Sequence, residues 1–194
     1  MREQSWFNLI AGTVAMVIVV LGALAISYPS GAAPAPATST ASSGSPVVYR
    51  NLSIAFDPSA GAFDYSTTTL SVPSNVRVVF TITNFDPSSA MVPAASDARV
   101  AGTLGGMITV STDGSTATVP SVPISDVSHT FTISSGAVHL NVPIPPASPT
   151  GTPTQVTFSV DFTVPGTFTW GCVVLCGADG TMVQSAMYGT ISVA

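Results

Sequence analysis

Two cysteines, Cys172 and Cys176, and two of the six methionines, Met182 and Met187, fall within sixteen residues near the end of this 194-residue chain. They lie in the stretch GTFTWGCVVLCGADGTMVQSAMYGTISVA, residues 166–194, and the chain has no other cysteine. Soft thiolate and thioether donors in one loop suit copper, above all Cu(I). The same cysteines, with three residues between them, also suit a short-loop disulfide in an oxidising compartment, and either methionine also reads as core. The chain has only two histidines. His129, in SHTFTI, is the imidazole that suits a ligand set; His139, in AVHLNVP, reads as decoration of a strand or loop. No general base or nucleophile is paired in a way that suggests an enzyme, so substrate chemistry is not expected.

Charge narrows the class further. The formal net charge is -5, and the chain contains no lysine. Nucleic-acid binding requires a basic surface, which this composition excludes. Serine and threonine must supply most of the polar exterior. That exterior reads either as a hydroxylated extracellular surface or as an adaptation to acid, in which few carboxylates leave few ion pairs to lose as pH falls.

The N-terminal part is an attachment. Residues 7–26, FNLIAGTVAMVIVVLGALAI, are free of charge and have the length of a membrane-spanning helix, about 20 residues. A signal peptide has a shorter apolar region, so an uncleaved anchor is the first expectation; SGAA at 30–33 leaves cleavage open. Arg2 precedes the span, which orients the bulk of the chain to the extracytoplasmic side. Residues 28–46, YPSGAAPAPATSTASSGSP, form a Pro/Ala/Ser/Thr-rich tether of the semi-extended kind.

From Val47 onward, short runs of β-branched and aromatic residues alternate with turn signals, which reads as an all-β domain over 47–194. Strands are predicted at 47–56, 67–73, 75–85, 105–112, 128–135, 154–164, 166–172 and 187–193. In NVRVVFTITNF, Val76, Val78, Phe80 and Ile82 alternate with Arg77, Val79, Thr81 and Thr83, giving one core face and one mostly polar face. This count of strands fits a Greek-key sandwich or barrel.

Three pieces, in order, resemble the cupredoxin family. LSVPSNVRVVFTITNFD (70–86) looks like its first hairpin, ending in Asn and an aspartate. DVSHTFTI (126–133) is similar to the segment carrying the family's first copper-binding histidine. PGTFTWGC (165–172) and MYGTISV (187–193) are similar to the strands that enter and leave its ligand loop. The resemblance implies a Greek-key cupredoxin-like β-sandwich. It also implies a copper site in which His129 is the first imidazole ligand, Cys172 the thiolate and Met187 the axial thioether.

Two departures qualify the match. A mononuclear blue-copper loop has a second histidine four or five residues before the axial methionine, where this chain has Met182 and Val183. The run CVVLCG (172–177) resembles in part the dinuclear CuA loop of cytochrome oxidase subunit II, which makes Cys176 a second thiolate candidate. That loop also requires a histidine where Gly180 stands. The metal set expected is therefore His129, Cys172 and Met187, with Cys176 and Met182 as further candidates, holding one copper rather than two. An insertion at about 86–125, longer than small members of the family carry, reads as a hairpin over a sheet edge or as a docking surface.

Three functions follow from these readings. The first is a membrane-anchored extracytoplasmic copper protein passing electrons in a respiratory chain to a redox partner such as a cytochrome or terminal oxidase. The second is a Cu(I) carrier or store. The third is a metal-free envelope sandwich closed by a Cys172–Cys176 disulfide.

Overall fold

The computed structural model describes residues 46–134, 136–175 and 187–194. The apolar segment, nearly all of the tether, Cys176 and Met182 lie outside them. Among the described residues no helix is long and apolar enough to cross a membrane.

Among the described residues eleven strands build two sheets. They are β1 (Val47–Asp57), β2 (Ala62–Tyr65), β3 (Thr69–Val72), β4 (Val76–Asn84), β5 (Ile108–Thr112), β6 (Ser115–Val119), β7 (His129–Ile133), β8 (Leu140–Ile144), β9 (Thr154–Phe162), β10 (Gly166–Gly171) and β11 (Tyr188–Val193). One sheet has the order β2-β1-β4-β9-β5-β6 and the other β3-β11-β10-β7-β8. β1 runs parallel to β4 and β11 parallel to β3. The chain changes sheets repeatedly, so the six-stranded sheet is complete only with β9 and the five-stranded sheet only with β11, the last strand.

The alternation expected for 75–85 is found in β4: every second residue from Val76 to Asn84 is buried. On β9 the facing residues Val156, Phe158, Val160 and Phe162 are buried in the same rhythm. Phe80 stacks on Phe158 with ring centroids 5.1 Å apart, and Phe131 of the opposite sheet tilts onto both. Truncating such a ring to alanine typically costs about 3–5 kcal/mol. Phe131 continues to Trp170 at 4.9 Å, and Tyr65 meets Trp170 edge-on at 4.8 Å. This aromatic seam joins the two sheets.

The outer face of the six-stranded sheet is built from hydroxyls. Thr81, Thr157, Thr109 and Thr118 lie in one row across four strands. Their side-chain oxygens meet at 3.4 Å for Thr81 and Thr157 and at 3.2 Å for Thr109 and Thr118. One exposed ion pair, Arg77 with Asp161 at 3.1 Å, lies nearby; such pairs contribute little.

The stretch between β4 and β7 closes the edges of both sheets. β5 pairs with β9 and carries β6 as the outermost strand. Ahead of that hairpin, Ala101 and Asn141 exchange backbone hydrogen bonds at 2.9 Å, which seals the outer edge of β8. Gly102 must be glycine here: its φ is +73°, and an added Cβ would lie 1.8 Å from the carbonyl oxygen of His139.

Candidate metal centre

The site begins with two adjacent strands of the second sheet. β10 pairs with β7 through Trp170↔Ile133 and Gly171↔Thr132. One step past that register, Cys172 leaves β10 beside the start of β7, where His129 stands. Both side chains are buried, at 4 % and 2 % exposure. His129 Nδ1 lies 4.0 Å from Cys172 Sγ. The backbone N–H of Thr130 donates to the same sulfur at 3.4 Å, and Val173 N–H donates to Thr130 Oγ1 at 2.9 Å. These two bonds pin the loop after Cys172 to the strand carrying His129.

Met187 enters from the other side of the loop. The N–H of Cys172 donates to the Met187 carbonyl at 2.9 Å, extending the β10–β11 ladder by one rung. The Met187 side chain is 1 % exposed and packs in the core cluster that includes Cys172, Val174 and Trp170. Imidazole and sulfur are thus adjacent, and the backbone of Met187 borders them through Cys172.

A fourth group belongs to this cluster. Asp86, just beyond β4, places Oδ2 2.9 Å from His129 Nε2, with the two side chains 7 % and 3 % exposed. Its Oδ1 accepts from the Ser88 N–H at 2.8 Å and from the Ser88 hydroxyl. Burial pushes the Asp86 carboxyl up, but hydrogen bonds from His129 and Ser88 outweigh it, so the group sits below its ordinary value. Behind β7, the Tyr65 hydroxyl donates to the Thr130 carbonyl at 3.0 Å. Burial pushes this phenol far above its ordinary value, which keeps it a donor.

Whether these residues fit copper is a matter of geometry and redox state. With bonds of about 2.0–2.1 Å to imidazole and about 2.3 Å to thiolate, a shared metal places nitrogen and sulfur about 3.6–3.8 Å apart. The separation here is a few tenths of an ångström longer, so the pair fits a metal with little adjustment. The donor types, imidazole, sulfur and thioether, suit copper. Cys172 is disulfide-bonded in this structure, and the sulfur becomes a metal ligand only after reduction to the thiolate. Among the described residues no group of three or more His, Cys, Asp or Glu side chains forms a metal cage. The third donor offered here is a thioether, which is outside that set.

The other candidates fall elsewhere. Cys176 and Met182 lie outside the described residues. His139 is exposed and precedes Leu140, whose partner is Ile133, whereas His129 pairs with Ile144 at the opposite end of the β7–β8 ladder. Five residues of strand put the two histidines about 16 Å apart along the sheet. Met91 adjoins the loop that follows Cys172: Leu175 N–H donates to the Met91 carbonyl at 3.0 Å. Asp86 was not among the sequence candidates, although the ending Asn84-Phe85-Asp86 of the hairpin motif carried the signal.

No protein-family model matches the sequence, and no curated protein matches it. Solved structures do. Rusticyanin from Thiobacillus ferrooxidans is similar over 78% of this chain and 79% of its own, at 16% identity and a TM-score of 0.40. Reduced rusticyanin is similar at 16% identity and a TM-score of 0.41, covering 78% of this chain and 81% of its own. A multicopper oxidase from Campylobacter jejuni, a metallo-oxidase, is similar at 12% identity and a TM-score of 0.42, over 78% of this chain and 31% of that one. The chain itself is a two-sheet β-sandwich in which β7, β10 and β11, three of the strands that carry the sequence motifs, are neighbours in one sheet.

Proposed function

We propose that this chain is a membrane-anchored, extracytoplasmic electron carrier, not an enzyme, that holds one copper ion between His129, the Cys172 thiolate and Met187. The observation that carries the reading is the buried approach of His129 Nδ1 to Cys172 Sγ at 4.0 Å, between two strands that hydrogen-bond across the gap. Bound copper would supply a one-electron couple. The protein's part is to keep the donors in place in both oxidation states. The Thr130 N–H stabilises negative charge on the sulfur, the Cys172–Met187 bond fixes the loop ends, and the core cluster around Trp170 excludes water. An apolar span at residues 7–26 would hold the carrier at the membrane, where a cytochrome or terminal oxidase is the redox partner that suits it.

The disulfide at Cys172 favours a second reading, a metal-free sandwich whose cysteines are structural. Copper uptake by the reduced full-length chain separates the two. The carrier reading expects one copper per chain, visible absorption from the thiolate, and loss of both in Cys172→Ser. Cys176→Ser should keep one copper with a modestly shifted spectrum; a fall to half the parent's copper would instead indicate a dinuclear centre. No uptake by the reduced chain, with Cys172→Ser destabilising the metal-free protein by about 2–3 kcal/mol, would establish the structural reading.

A further inference from the structure

The carboxylate behind His129 is placed with more care than a buried acid in the core needs. Both oxygens of Asp86 are engaged, Oδ1 by Ser88 and Oδ2 by His129 Nε2. Its backbone is clamped as well. The Asp86 N–H donates to Asn84 Oδ1 at 3.0 Å, and its carbonyl accepts from Ala147 N–H at 2.7 Å. Asn84 is itself fully buried and donates to the Pro145 carbonyl at 2.9 Å. Five hydrogen bonds therefore fix where this carboxylate stands before the imidazole is considered.

An ionised carboxylate only accepts hydrogen bonds. A neutral imidazole with its proton on Nδ1 would set a lone pair at Nε2 against the carboxylate oxygen at 2.9 Å, which is repulsive. With the proton on Nε2, that contact is a charge-assisted hydrogen bond, and Nδ1 is left as the acceptor. Nδ1 is the nitrogen that faces Cys172 Sγ.

We propose that Asp86 is the positioning residue of this site: its carboxylate holds the His129 proton on Nε2 and turns the Nδ1 lone pair toward the Cys172 sulfur. The inference rests on the copper reading for its purpose but not for its geometry, which the metal-free protein already has. Outer hydrogen bonds of this kind set ligand orientation and basicity, and their loss typically weakens metal binding about 10–100-fold. Asp86→Asn keeps an accepting oxygen at the same place and should retain part of the effect; Asp86→Ala keeps none.

The test uses the reduced, copper-free full chain with nitrogen-15 in its histidines, followed by Cu(I) competition against a chelator. Long-range proton–nitrogen correlations should show the Nε2–H tautomer for His129 in the parent, kept in Asp86→Asn and mixed in Asp86→Ala. Cu(I) affinity should fall about 10–100-fold in Asp86→Ala, with Asp86→Asn between it and the parent. An Nδ1–H tautomer in the parent, which needs no variant to fold, would overturn the inference. So would Asp86→Ala with the parent's tautomer and affinity. If no chain binds copper, the copper reading falls, and the tautomer measurement alone decides whether Asp86 holds the ring.

Discussion

Gly189→Ala tests whether the strands beside the candidate centre are packed as tightly as described. Gly189 on β11 lies opposite Trp170 on β10. A Cβ at this position would come 2.4 Å from Trp170 Cζ2, 2.5 Å from Cε2 and 2.3 Å from the Thr68 carbonyl oxygen. The indole has no easy retreat, since Tyr65 and Phe131 hold it at centroid distances of 4.8 and 4.9 Å. If β11 moves instead, it loses the bond from Thr190 N–H to that same carbonyl, 2.8 Å long. Overpacking costs about 1–3 kcal/mol, and the lost hydrogen bond about 1 kcal/mol. Alanine restores about 0.4–1 kcal/mol by restricting the unfolded chain. The net loss is therefore about 1–3.5 kcal/mol, and for a urea slope of about 2 kcal/mol/M the unfolding midpoint falls by about 0.5–2 M. The assay is equilibrium urea unfolding of the copper-free protein, followed by near-ultraviolet circular dichroism of the buried aromatics. A midpoint within 0.2 M of the parent, roughly the error of such a fit, would refute the packing argument. The strain falls two rungs along the ladder from the Cys172–Met187 bond, so a milder version of it should appear as a changed spectrum in any copper-loaded sample.

His129→Ala should destabilise even the metal-free protein, by about 3 kcal/mol, because it leaves the Asp86 carboxylate buried without its partner; Asp86→Ala/His129→Ala should cost clearly less than the sum of the single changes, and additivity in urea melts would count against the pair. Asp64→Asn should stabilise the protein at neutral pH. Burial, and then repulsion from Asp57, raises the Asp64 carboxyl, and its Oδ1 has no hydrogen-bond partner among the described residues. A carboxyl with a raised folded pKa costs stability when ionised and stops costing it as pH falls through that pKa. The advantage of Asn should therefore shrink toward zero in acid; a constant increment in melting temperature from neutral pH to below the carboxylate range would contradict the assignment.

The strands that sequence alone located are those with strong alternation and a buried face. β1, β3, β4, β5, β7, β9, β10 and β11 appear within a few residues of their predicted limits. The three that escaped have physical reasons to be silent. β2 is four residues long. β6, the outermost strand, buries none of its residues and so has no apolar rhythm. β8 contains Pro143, which argues against a strand unless it lies at an edge, where β8 does lie. Two of the candidate ligands, His129 and Cys172, lie 4.0 Å apart because β7 and β10 are neighbours in one sheet. Asp86 stood in a visible motif ending, Asn84-Phe85-Asp86, but the sequence does not give the distance between β4's end and β7's start. That distance is set by the pairing of sheets, which only the completed fold determines.

The row of hydroxyls across β4, β9, β5 and β6 has a kinetic consequence. Thr81, Thr157, Thr109 and Thr118 carry no charge, so this row itself adds nothing to the field that steers a partner. Association without charge steering proceeds at about 10⁵–10⁶ M⁻¹s⁻¹, and salt screens only charges that are there to be screened. A protein meeting the row gains no charge steering from it, so the row's part in the arrival rate is left to diffusion and orientation. Discrimination between right and wrong visitors then falls to the lifetime of the encounter, decided by shape and short hydrogen bonds after contact, not by any pull exerted before it.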